Sequence, residues 1–66
     1  MNRMATFQTA VCAQDAAKTL NEAIGDLVYA MEAGAADANV VNLRNRALSV
    51  MAELVVAVAA LNKSVA

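Results

Sequence analysis

Apolar residues in the first half of the chain recur at helical spacing. Ala17, Leu20, Ile24, Leu27 and Met31 follow one another at intervals of three and four, which places them on one stripe of a helix. Gln14, Asp15, Lys18, Thr19, Glu22 and Asp26 fall mostly on the other side. The spacing predicts an amphipathic helix over about residues 5–33 with that stripe turned inward. A second stripe runs through Val40, Leu43, Ala47, Met51, Leu54, Val58 and Leu61 and predicts a second helix over about residues 38–63. Here the apolar sector widens toward the C-terminus until, in the run LVVAVAAL from Leu54 to Leu61, no polar residue remains. One neighbouring helix cannot cover such a surface.

Between the stripes lies MEAGAADA, Met31 to Ala38. Gly34 suits the left-handed conformation that closes a helix, and Asp37 has a side chain able to cap the next one. With a turn of about residues 34–37, the connection is short enough to force the helices antiparallel. The expected fold is a single all-α domain, an antiparallel two-helix hairpin over residues 1–66. Folding about a pivot near Ala35 or Ala36 brings Lys18 toward Glu53, and Glu22 and Asp26 toward the level of Arg44 and Arg46. Ala16, Ala23 and Ala30 sit seven apart and give the first helix a small-residue edge, along which another helix could approach closely.

Composition sharpens the question of what covers the second helix. At 66 residues a chain buries a modest fraction of its surface and needs extra stabilisation. Cys12 is the only cysteine and histidine is absent, so an internal disulfide is impossible and a zinc site lacks ligands. With 61% hydrophobic residues and no proline, the chain is too apolar for disorder and well suited to helix. Self-association is the economical remedy: two hairpins joined through the wide faces of their second helices would form a four-helix bundle. Leu48, Met51, Leu54, Val55, Val58 and Leu61 are the expected oligomer interface.

A bilayer is a weaker candidate, because a spanning helix needs about 20 apolar residues and this stretch offers about fifteen, with Glu53 inside it. An in-plane anchor wants a basic polar face, and the apolar C-terminal stretch from Ala47 onward supplies only Lys63. No secretory leader is evident at the N-terminus, where Gln8 and Thr9 interrupt the apolar residues, so a cytoplasmic location is expected.

Candidate chemistry is sparse. The carboxylates are scattered and no serine or threonine sits beside an evident base, so neither catalysis nor a cofactor or metal is expected. Glu53 is the single acid in an apolar neighbourhood and reads as an edge carboxylate meeting Lys18. Cys12 reads as a small buried hydrophobe, the alternative being an interchain disulfide across a two-fold axis. The stretch NVVNLRNR, Asn39 to Arg46, raises the alternative of a helical nucleic-acid-binding dimer using Asn42, Arg44 and Arg46. Two arginines and a net charge of −1 make a poor footprint for a polyanion. The same residues also suit the rim of a protein interface, and Tyr29, off the main stripe, is a candidate anchor.

No motif identifies a family. In general layout the chain resembles small needle-type secretion chaperones, filament subunits and phage proteins that block a host protein. That likeness of fold implies a non-catalytic protein that binds, shields or inhibits a partner protein.

Overall fold

The computed structural model describes residues 2–65 as two long helices, α1 (Arg3–Glu32) and α2 (Asp37–Ser64). They pack against each other as a hairpin measuring 49 × 14 × 10 Å. Helix α1 starts at Arg3 because Asn2 caps it: its side-chain oxygen accepts from the backbone N–H groups of Met4 (3.0 Å) and Ala5 (3.2 Å). Two of the amides that a helix start leaves without partners are thereby satisfied.

The turn closes as a Schellman motif. Gly34 adopts φ 74°, its N–H donates to Met31 O (3.1 Å), and Ala35 N–H reaches back to Ala30 O (2.9 Å). Those two bonds satisfy carbonyls orphaned at the helix end. Asp37 does not cap α2 as the sequence suggests. The capping position is Ala36, which makes no side-chain bond, and Asp37 is the first helical residue. There its negative charge complements the positive end of the helix dipole.

In α2 the buried or half-buried residues are Val40, Leu43, Ala47, Val50, Leu54, Ala57, Leu61 and Ser64, spaced alternately by three and four. Helix α1 answers with Thr6, Thr9, Ala13, Ala16, Leu20, Ala23, Leu27 and Ala30 at the same alternation, with Ala5 and Ala10 half-buried beside them. This is the a and d pattern of a coiled coil. Carried along the two helices from the contact of Thr6 with Ser64, the matched spacing brings Ala13 level with Ala57, Leu20 with Val50 and Leu27 with Leu43. Between these layers Ala23 is level with Ala47, and both are buried.

The seam therefore runs along the alanine edge of α1 and not along its large-residue stripe. Leu20 and Leu27 turn inward, whereas Ala17, Ile24 and Met31 lie one position to the side and stay exposed. The reason is close approach: alanine facing alanine lets two backbones draw together and bury one another. Fully or nearly buried side chains are accordingly small, namely Ala13, Ala23, Ala47 and Val50, with Ala23 at 0% exposure.

The open end of the hairpin is pinned by hydroxyls. Thr6 Oγ1 shares its one proton between Asn2 O (3.0 Å) and, across the seam, Ser64 O (3.3 Å), and the Thr9 and Ser64 hydroxyl oxygens lie 3.1 Å apart. Ser64 Oγ also donates to Leu61 O at 2.7 Å, and the one proton of Thr9 is shared with Thr6 O (3.0 Å) and Ala5 O (3.1 Å) on its own helix. Polar residues in the last seam layer cost burial and return registration.

Candidate functional site

A coiled-coil seam divides the rest of each helix into two sides. Positions e and b flank it on one side, positions g and c on the other, and in an antiparallel pair e faces e and g faces g. The ion pair between Arg46 Nη1 and Asp26 Oδ2, at 2.7 Å, joins two g positions and marks that side. The opposite side belongs to e and b.

That opposite side is mostly apolar, interrupted by Gln14, Asn21, Arg44 and Asn62. Of the fourteen large hydrophobic residues exposed among the described residues, ten occupy e or b positions. Helix α2 and its C-cap contribute Val41, Leu48, Met51, Val55, Val58 and Val65, and α1 contributes Phe7, Ile24, Val28 and Met31. Met4 and Val11 lie on the outer edge of α1. Only Tyr29 and Val56 are on the polar side. Apolar residues scattered singly over a surface are ordinary; ten of fourteen gathered on one side of a rod are not.

The expected interface residues divide along the same lines. Leu48, Met51, Val55 and Val58 are exposed on the apolar side, whereas Leu54 and Leu61 are half-buried in the hairpin's own seam. The α1 contribution is not legible from the stripe alone, because Ile24 and Met31 share it with Leu20 and Leu27, which the seam takes. A repeat that would have revealed this side is present in α2: Val41, Arg44, Leu48, Met51, Val55, Val58, Asn62 and Val65 follow at intervals of three and four. It forms a second, exposed stripe beside the first, the second seam of the assembly proposed below.

The polar candidates are not brought together. Arg44 and Arg46 are two residues apart and so project about 200° apart around α2. Arg46 is held by Asp26 on the polar side; Arg44 lies on the apolar side, where its Nη2 donates to Asn45 Oδ1 (3.3 Å). Asn42 is exposed on the polar side with Tyr29, which is 74% exposed. Lys18 and Glu53 make no ion pair among the described residues, because Lys18 projects from the outermost position of α1. The residue level with Glu53 on that flank is Thr19, whose hydroxyl donates to Asp15 O (3.0 Å). Glu53 is exposed despite its apolar sequence neighbours. Cys12 is also exposed, not the buried hydrophobe expected, since the alanines at 13 and 16 take the seam and leave it on the flank.

Helix α2 is by length and composition long and apolar enough to cross a membrane, with 6% of its most apolar stretch buried. The apolar run itself, Ala47 to Leu61, is about fifteen residues with Glu53 inside it; the helix carries it on through Asn62, Lys63 and Ser64. Among the described residues no three His, Cys, Asp or Glu side chains gather as a metal site would require. No known protein family, curated protein or solved structure matches the chain.

Proposed function

We propose that the chain is a non-catalytic interaction protein: a helical hairpin that self-associates through its apolar side into a four-helix bundle and binds, shields or inhibits a partner protein. One observation carries the reading, the gathering of ten exposed large hydrophobic residues on a single side of the rod. A partner would then meet what the assembly leaves outside, the polar side with Tyr29 as its most exposed aromatic and Asn42 near it. Arginine and tyrosine are enriched where proteins recognise one another.

Two other readings find less support. Nucleic-acid binding needs cations gathered on one face, and Arg44 and Arg46 lie on opposite sides, one of them already neutralised by Asp26. A membrane-crossing α2 would have to carry its packed neighbour with it. The α1 residues level with the apolar stretch of α2 include Asp15, Lys18 and Glu22, all exposed, and each charge costs about 2.5–3.5 kcal/mol near a bilayer centre. Water suits that flank. The single cysteine fits the reducing cytoplasm, where we place the protein.

Sedimentation equilibrium of the full chain at micromolar concentration tests the proposal. A dimer or higher mass, with a melting temperature that rises with protein concentration, is the expected result. A monomer that melts cooperatively at a concentration-independent temperature refutes it.

A further inference from the structure

We infer that the second copy seats α2 directly on α2, antiparallel about a two-fold axis crossing the helix at the level of Glu53. In this register Met51 of one copy faces Val55 of the other, Leu48 faces Val58, and Arg44 faces Asn62. The inference rests on the self-association proposed above and assigns its geometry.

The second seam of α2 is self-complementary, and that is the observation from which the register follows. Its only polar members, Arg44 and Asn62, lie nine residues before and nine after Glu53. An antiparallel pairing centred there therefore matches polar with polar and apolar with apolar at every step. Isologous contact requires such a pattern, because one patch must complement itself. Arg44 also comes to rest beside the last turn of the other α2, whose carbonyls lack helical donors and carry the negative end of the dipole.

Other stackings fit less well. Placing α2 over α1 of the second copy would press Gln14 against Val58 and Asn21 against Met51, and bury the Arg44 guanidinium on Val28. Each is a polar group without a partner in an apolar contact. Sliding α2 on α2 by one heptad sets Arg44 against Val55 with the same defect. In the favoured arrangement α1 meets α1 through small and polar residues near its middle, which suits the wetter margin of an interface.

The area available is sufficient. A fully buried aliphatic side chain removes roughly 60–120 Å² from water, so ten half-exposed ones offer on the order of 300–600 Å² per copy. Doubled, and with about 56–65% of an interface apolar, this corresponds to a total of roughly 1,000–2,000 Å². Stable protein interfaces bury about 1,200–2,000 Å².

Cysteine cross-linking tests the register in the full chain with Cys12→Ser as background. Single variants carrying tags of different length are mixed in pairs and oxidised, after sedimentation shows that each keeps the parent's mass. Disulfides close only when the Cα atoms come within about 7 Å, so Leu48→Cys with Val58→Cys, and Met51→Cys with Val55→Cys, are expected to give the mixed dimer preferentially. Preferential linkage of Leu48→Cys to Ile24→Cys, or to Met51→Cys, would overturn this register while leaving self-association standing. Monomeric parent protein would overturn both.

Discussion

Val56 and Val58 are two residues apart on the same helix, share one chemistry, and are both exposed in the hairpin, at 70% and 48%. They lie on opposite sides of the rod. Replacing either with aspartate imposes the same loss of helix propensity and the same added charge at nearly the same distance from the helix end, so those effects cancel in the comparison. What differs is the second copy. At Val58 the substitution forfeits about 1 kcal/mol of remaining apolar burial and inserts an unpaired carboxylate costing at least about 1–3 kcal/mol. The two-fold axis doubles this to about 4–8 kcal/mol, a weakening on the order of a thousandfold or more. At Val56 the expected change is within about 0.5 kcal/mol, as for surface positions generally. Sedimentation equilibrium over a dilution series reads the dissociation constant, and far-ultraviolet circular dichroism on the same samples reads helicity. Val58→Asp should lower mass and helicity together while Val56→Asp keeps both. Equal behaviour of the two variants would refute the assignment of the apolar side as the interface.

Other substitutions test the hairpin itself. Gly25→Ala places its Cβ in open space within α1 and should stabilise by about 0.8–1 kcal/mol, raising the melting temperature; a fall would contradict the exposed placement. Gly34→Ala forces a side chain onto φ 74° and should cost about 1–2 kcal/mol, read by thermal melting, with no cost if the turn is not a Schellman closure. Ala23→Leu overfills the layer where alanine meets alanine and should cost about 1–3 kcal/mol in urea titration, whereas a neutral result would move the seam to the Ile24 stripe. Arg46→Ala removes only an ion pair with both side chains about half exposed, worth about 0–1 kcal/mol; loss of folding in that variant would contradict its surface position.

Helix number, turn and approximate pivot are legible in the chain because each rests on local chemistry: alanine-rich periodicity, absence of proline, and a glycine where a left-handed residue is required. The facing of α1 is not legible from hydrophobicity alone. Its large stripe, Ala17 to Met31, and its alanine edge differ by one position around the helix, and transfer free energy favours the former as core. Close approach decides otherwise: Ala23 against Ala47 permits a tight seam, and the choice depends on both helices at once. The Asp26–Arg46 pair was visible because charges at a common level select register. Lys18 and Glu53 share nearly the same level and still fail to pair, since level says nothing about which flank a side chain leaves from. Asn2 was missed as a cap because Arg3, Met4 and Ala5 precede any clear periodicity.

The alanine seam also bears on why so much apolar surface remains. A hairpin that buried its leucine, isoleucine and methionine stripe internally would hold a thicker core and present a mostly polar exterior. Burying alanines places the helices closer but covers little area per residue, and it displaces Ile24, Met31 and Val28 to the same side as Leu48, Met51 and Val58. The seam that defines the hairpin thus creates the face we propose as the interface, because both repeats are carried by the same helices one position apart. Under that proposal folding and association are coupled. The thin seam alone is too small to hold a chain of this length firmly, and stability then depends on protomer concentration, as it does for obligate dimers. Exposure of the second stripe is the cost of the first seam, and in the proposed assembly a second copy, carrying the identical pattern, is the surface that answers it.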